Sequence, residues 1–178
     1  MTTTELVETK KHEICPDLAL KVKFREDVLK AEKALKDSIS NGEMESLAHE
    51  CTLNHYFSPV DENYGCCAYA REIFLPKGSL VIGKIHRHQH LNFIQKGKVS
   101  VATEFGLKYF EAPCIFVSEK GLKRVVIAEE DTIWVTVHMT KHTGEENLDK
   151  IEDEVISPTY DEIGLISSTN ALLAQQGE

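Results

Sequence analysis

Residues 83–92 have the sequence GKIHRHQHLN, in which His86, His88 and His90 occupy every second position. Side chains alternate between the two faces of an extended strand, so a strand through this stretch would project all three imidazoles from one face. Convergent imidazoles bind transition metals such as zinc, iron, nickel and copper, and they also transfer protons near neutral pH. Three interpretations stay open at this point: a metal site, a metal-free polar pocket, and histidines with a purely structural role.

The composition is that of one globular domain with extensions. The chain has 178 residues, of which 42% are hydrophobic and 28% charged, which favours a folded protein over a disordered one. The formal net charge of -9 at pH 7 argues against general nucleic-acid binding, because the phosphate backbone requires a basic surface. A local basic pocket for a small anion is compatible with this charge.

The chain shows no sign of export or of membrane insertion. Residues 1–11 lack the apolar core of a secretion signal, and no apolar run approaches the ~20 residues needed to span a bilayer. The cysteines are odd in number and scattered, which favours reduced thiols over a disulfide framework. They are Cys15, Cys51, Cys66, Cys67 and Cys114. We therefore expect a cytoplasmic protein without membrane contact.

The pattern of the chain changes near residue 53. Apolar residues recur with helical spacing between Val22 and Leu47, and Asn41-Gly42 ends the pattern. From residue 53 onwards, short β-rich runs separated by turns predict a sandwich or a small barrel. The predicted strands are 68–75, 80–88, 91–95, 98–103, 115–117, 125–128 and 132–139, followed by a helix over 146–156. We divide the chain into an N-terminal helical extension (1–52), a barrel (53–142) and a C-terminal helix with a tail (143–178).

Between Tyr64 and Met139 the chain resembles the cupins, which are double-stranded β-helix (jelly-roll) barrels. The resemblance rests on the turn at Gly78, the strand with His86 and His88, the run from Leu91 to Gly97, and the segment 112–117 that leads to Gly121. It implies a mainly β cupin barrel with an N-terminal helical arm and a short C-terminal helix. It also implies one divalent transition metal inside the barrel, with zinc, iron, nickel or manganese as the expected ion.

The resemblance implies metal ligands in a first motif, where cupins carry an HxH pair and then an acidic residue ahead of a glycine. One alignment makes His86 and His88 the pair and brings Asn92 near the acidic position. The usual spacing from the glycine instead gives Lys84 and His86 as the pair, with His90 at the acidic position. Both alignments depart from the family pattern, so both stay open.

In the second cupin motif a further histidine stands three residues after a glycine. Here Arg124 stands three residues after Gly121, and a guanidinium cannot ligate a metal. Thr136 and His138 share strand parity with Trp134 on the last predicted strand, so His138 is a candidate for the fourth ligand. The candidate metal ligands are therefore His86, His88, His90 and His138.

The same pocket has candidate residues for an anionic ligand. The residues that share strand parity here predict an apolar base with an amine and imidazoles on one face, and they are Leu80, Ile82, Lys84, His86 and His88. Bringing these cations together with Arg124 costs repulsion and desolvation, which an anionic ligand would relieve. The nearest carboxylates, Glu72 and Glu104, are expected to be solvated. The candidate ligand-binding residues are Lys84, Asn92, Arg124 and Trp134.

The chain also resembles small cupin-like proteins of tailed bacteriophages, in segments 69–73, 83–86, 90–92, 123–125 and 130–134. This resemblance implies synthesis in the host cytoplasm, with the virion as a second location. Two functions follow. The first is a histidine-rich pocket that binds a divalent metal, a small anion or both, with or without catalysis. The second is a phage structural or host-interaction protein that uses the barrel as a scaffold. In either case we expect a homodimer, because cupin barrels commonly pair through an outer sheet face.

Overall fold

The computed structural model describes residues 16–174, so the expectations about residues 1–11 and about Cys15 lie outside the described residues. The helices are α1 (Pro16–Ser40), α2 (Leu148–Val155) and α3 (Thr169–Ala174), with 3-10 turns at Leu47–His49, Glu145–Asn147 and Asp161–Ile163. The strands are β1 (Thr52–Phe57), β2 (Cys67–Leu75), β3 (Leu80–Ile82), β4 (Ile85–His86), β5 (His90–Lys96), β6 (Lys98–Thr103), β7 (Gly106–Glu111), β8 (Cys114–Ser118), β9 (Val125–Ala128), β10 (Thr132–Thr140) and β11 (Ile156–Ser157). No helix within residues 16–174 is long and apolar enough to cross a membrane.

The strands form two facing antiparallel sheets. One has the order β1-β2-β10-β5-β8 and the other has the order β3-β9-β6-β7, while β4 and β11 form a separate pair. Apart from β1, each sheet has four strands, and the chain passes from one sheet to the other at each step except the β6-β7 hairpin. Eight strands in two facing antiparallel sheets constitute a jelly roll. The predicted fold class is confirmed: the protein is mainly β, with an N-terminal helix and a short C-terminal helix.

The hydrophobic core lies between the two sheets. Its buried cluster draws on both sheets and consists of Ile94, Val99, Val101, Val126 and Trp134. Burial of such side chains is the main term that stabilises a small barrel, at about 1.5–3 kcal/mol for each large aliphatic residue. The cluster fills one part of the barrel interior, and the polar residues described below lie in the other part.

The prediction of one continuous strand over residues 80–88 is wrong. β3 ends at Ile82, β4 covers two residues, and the chain bends after His86. The residue of β3 that packs on the core is Val81, whereas Leu80 is exposed, so the predicted parity of this strand is also wrong. The reason is tertiary: β4 pairs with β11 of the C-terminal segment and not with either barrel sheet. Local alternation cannot reveal a partner so far along the chain.

Helix α1 is anchored to the barrel by an ion pair that the sequence did not indicate. Arg25 donates from Nε and Nη2 to Glu104 at 2.6 and 2.7 Å, and its Nη1 donates to the carbonyl of Ile166 at 3.0 Å. The two side chains are 5% and 8% exposed. The expectation that Glu104 is solvated is therefore wrong, because α1 and the C-terminal tail cover it. Glu72 accepts a hydrogen bond from Asn54 at 2.9 Å.

The turn between β5 and β6 depends on Gly97, which has φ +85 and lies against the turn between β9 and β10. A Cβ at this position would clash with the carbonyl oxygen of Asp131 and would lie 2.6 Å from Oγ1 of Thr132. The left-handed conformation costs a non-glycine residue about 1–2 kcal/mol. We expect Gly97→Ala to lower the free energy of unfolding by about 1–2 kcal/mol for the backbone conformation. The clash of the added Cβ should lower it by at least about 1 kcal/mol more.

Gly106→Ala is the matched control for this prediction. Gly106 has φ +99 but nothing within 4 Å of the added Cβ, so it should show the conformational cost alone. Urea unfolding followed by circular dichroism measures both variants. Equal losses in the two would contradict the close approach at Gly97.

Candidate functional site

Three histidines from three strands meet inside the barrel. His86 ends β4, His90 begins β5 and His138 lies on β10, and one ring nitrogen from each lies within 4.8 Å of the others. The ring centroids are 4.2 Å apart for His86 and His90, 4.5 Å for His90 and His138, and 5.1 Å for His86 and His138. His90 and His138 are buried and His86 is half-buried.

His88 does not join this group. It is exposed, in the bend between β4 and β5, so the expectation that the three histidines of this segment share one strand face is wrong for His88. The bend is held from the C-terminal segment, because the Arg87 backbone N–H donates to the carbonyl of Val155 and the Arg87 Nε donates to that of Ile156. Because residues 87 and 88 form a bend and not a strand, the alternation of side chains between two faces is lost before His88.

The three clustered imidazoles are neutral at physiological pH. Burial lowers the pKa of His90 to about 4 with a further contribution from Arg124, and burial with the neighbouring His90 lowers that of His138 to about 3. The pKa of His86 is lowered more strongly, first by burial and then by the other two histidines. A neutral imidazole keeps a nitrogen lone pair, which is the form that ligates metals.

A hydrogen-bonded group lies next to the histidines. It contains three of the predicted ligand-binding residues, Arg124, Asn92 and Trp134. Oδ1 of Asn92 accepts from Nη1 of Arg124 and from Nε1 of Trp134, each at 3.0 Å. Nη2 of Arg124 lies 3.1 Å from Nε2 of His90 and also donates to the hydroxyl of Ser118. Nδ2 of Asn92 donates to that hydroxyl at 2.9 Å. The group fixes the guanidinium at the edge of the histidine cluster.

The charge of Arg124 has no acidic partner within residues 16–174. Its side chain contacts amide, hydroxyl, imidazole and aromatic groups, and its Nε is buried without a hydrogen-bond partner. Its guanidinium carbon lies 5.4 Å from the ring centre of Trp134 and 6.0 Å from that of Phe116. Burial lowers the pKa of Arg124 to about 10, so the group stays charged at neutral pH.

Lys84, the fourth predicted ligand-binding residue, lies at the rim of the site. Its ammonium group pairs with the carboxylate of Glu152 on α2, and both side chains are about half exposed. It lines the same cavity as Arg124 and His86, but its charge is already balanced. The structure thus places the two predicted cations differently: Arg124 is buried without a counter-ion, and Lys84 is exposed with one.

A cavity of about 210 Å³ opens beside His86 and Arg124. Its walls include Ile73, Val126 and Trp134, together with Arg71, a residue that the sequence analysis did not single out. Arg71 follows Tyr69 and precedes Ile73 on the inward-facing side of β2. The alternation Tyr69-Arg71-Ile73 is visible in the sequence and could have identified an inward-facing cation.

The strand order and the position of the histidine cluster define a jelly-roll barrel with a candidate metal centre in its interior. No family model matches the sequence, and no curated protein matches it. Solved structures do match. KdgF from Halomonas sp. has 14% identity over 60% of this chain and 94% of its own, with a TM-score of 0.44.

Two further solved structures illustrate the same similarity. A cupin superfamily protein from Desulfitobacterium hafniense DCB-2 has 7% identity over 55% of this chain and 84% of its own, with a TM-score of 0.42. Ectoine synthase from P. lautus has 12% identity over 57% of this chain and 72% of its own, with a TM-score of 0.42.

Proposed function

We propose that the protein binds a divalent transition metal through His86, His90 and His138, and that this centre serves a small-molecule pocket inside the barrel. The observation that supports the proposal is the convergence of three ring nitrogens within 4.8 Å of one another. His90 and His138 lie on neighbouring strands of one barrel sheet, and the β4-β11 pair holds His86 beside them.

The chemistry of the donor set fits such an ion. Imidazole nitrogen suits zinc, iron, nickel and copper, whereas manganese prefers oxygen ligands such as carboxylates, and within the described residues no carboxylate belongs to this cluster. Nδ1 of His86 is buried and has no hydrogen-bond partner among residues 16–174, so it is available as a metal ligand. Nδ1 of His90 lies 3.3 Å from the carbonyl of His88, which favours a free Nε2 lone pair for either Arg124 or a metal.

Three protein ligands leave positions for water or for a ligand molecule, as in catalytic zinc sites. Such a metal supplies Lewis-acid activation of a bound oxygen. Around it, Asn92 and Ser118 hold Arg124 in place, and Trp134 closes the cavity on the core side. The arrangement is compatible with catalysis and with simple sequestration of a ligand.

The test is the metal content of the protein, purified without tag or chelator, compared with that of a His86→Ala/His138→Ala variant. We expect near-stoichiometric metal in the wild type and its loss in the double variant, by elemental mass spectrometry. His88→Ala is the matched control, because this histidine belongs to the same segment but lies outside the cluster. It should retain the metal.

Two results would contradict the proposal. One is a stably folded wild-type protein that takes up no zinc, iron or nickel when these are added after purification. The other is equal metal loss in His88→Ala and in the double variant. The first result would favour the alternative function, a phage structural or host-interaction protein in which the barrel is a scaffold. The bacteriophage origin and the homodimer stay predictions.

A further inference from the structure

The cavity beside the histidines has positive and apolar walls but no carboxylate among the described residues that line it. Arg71, Lys84 and Arg124 supply the positive charge. Isolated cations in a partly desolvated cavity are unfavourable, and an anionic ligand removes that cost. Because the described residues that line the cavity include cations and no carboxylate, we expect the cavity to prefer an anionic ligand.

Elsewhere within residues 16–174, the interior cations of this protein are paired. Arg25 has Glu104 as its partner, and Lys123 lies 2.9 Å from Glu32. Arg71 differs, because in the part of the chain that the structure describes its guanidinium makes no ion pair and no hydrogen bond. It lies on β2 between β1 and β10 and lines the cavity on the side of His86. All of its N–H donors are therefore available to a ligand, whereas Lys84 pairs with Glu152 and, among the described residues, only the Nε of Arg124 is without a partner.

We propose that Arg71 binds the carboxylate of a small organic anion, and that the apolar body of this anion lies against Trp134 and the aliphatic wall of the same cavity. The inference rests on the proposed function, since His86 borders this cavity. The planar guanidinium matches a carboxylate through two parallel hydrogen bonds. Lys84 is not the primary site for the anion, because Glu152 already balances its charge.

The remainder of the wall indicates the rest of the ligand. Ile73, Leu75, Val81 and Val126 are aliphatic, and the indole of Trp134 lies among them. Such a surface binds a hydrocarbon chain or an aromatic ring, and the carboxylate end of the ligand would lie where Arg71 lines the cavity. The ligand class is therefore a monocarboxylate with an apolar body.

Benzoate is the probe, and benzamide is its uncharged counterpart of the same shape. Trp134 is the only tryptophan of the chain, so its fluorescence reports occupation of the cavity directly. Isothermal titration calorimetry provides the second readout. The titrations use full-length protein treated with a chelator and then dialysed, so that carboxylate binding is measured without a metal. We expect benzoate to bind at least about tenfold more tightly than benzamide, as a charge-assisted hydrogen bond implies.

Arg71→Met should weaken benzoate binding at least about tenfold and leave benzamide binding unchanged. Lys84→Met is the matched control, because it removes a cation from the same cavity, and it should change benzoate affinity less than about threefold. Arg71→Lys keeps the charge without the planar fork, and its affinity should lie between those of the wild type and Arg71→Met. Circular dichroism confirms that each variant is folded.

Three results would overturn the inference: no fluorescence response of the wild type to benzoate, equal affinities for benzoate and benzamide, or equal effects of Arg71→Met and Lys84→Met. None of them depends on metal content, which is measured separately. If the protein purified without chelator contains no metal and takes none up, while the chelated protein binds benzoate through Arg71, the metal centre is contradicted and the carboxylate pocket is supported. Metal-loaded protein that ignores benzoate would do the reverse.

Discussion

Glu104→Gln is expected to lower the free energy of unfolding by about 3–5 kcal/mol, the cost of leaving a buried charge without its partner. Arg25 and Glu104 form two parallel hydrogen bonds at 2.6 and 2.7 Å, and their side chains are 5% and 8% exposed. Glutamine preserves the size of the side chain but not its charge. Arg25 would then stay buried near the ring of Tyr160 without a carboxylate.

Urea denaturation followed by circular dichroism measures this loss. Asp37→Asn is the matched control, because it breaks an exposed ion pair between Lys33 and Asp37 on α1 and should cost at most about 1 kcal/mol. The double variant Arg25→Met/Glu104→Leu should recover most of the stability, since an apolar pair needs no counter-charge. Similar losses in Glu104→Gln and Asp37→Asn would show that the buried pair is not strongly desolvated.

The β-rich part of the fold was predictable because its strands carry their own signals. The predicted strands 98–103 and 125–128 match β6 and β9, and turn residues such as Gly97 marked their ends. β1 and β7 were missed because both are edge strands with mostly exposed side chains, so no apolar alternation indicates them. The alternation rule detects burial on one face, and it fails where neither face is buried.

The candidate site was predictable in part, and the failures have a common cause. His86, His90 and His138 meet as the sequence suggested, because two of them lie on strands with a buried inward face. His88 was misplaced because β11, some 70 residues further along the chain, pairs with β4 and ends the strand there. The buried state of Glu104 likewise depends on the docking of α1 and the C-terminal tail. Residues positioned by distant segments are beyond the reach of a local pattern.

Arg124→Met is expected to raise the affinity of the histidine centre for zinc at least about hundredfold. Nη2 of Arg124 lies 3.1 Å from Nε2 of His90, so the guanidinium competes with a metal for that nitrogen. It also repels a cation: two unit charges about 4 Å apart interact by about 4 kcal/mol at an effective dielectric constant of about 20, and the charge of zinc is double. For a doubly charged ion this repulsion is about 8 kcal/mol, and about a third of it corresponds to two orders of magnitude in affinity.

The substitution should leave the fold intact, because methionine fills much of the same volume and Asn92 keeps its hydrogen bonds to Trp134 and Ser118. Competition with a chromogenic zinc chelator measures the affinity. Lys84→Met is the control, since this cation is exposed and paired with Glu152, and it should change zinc affinity less than about threefold. If Arg124→Met binds zinc no more tightly than the wild type, the guanidinium does not oppose the ion. The three histidines would then bind the metal away from Nε2 of His90, with Arg124 free to serve as a second donor to the anionic ligand.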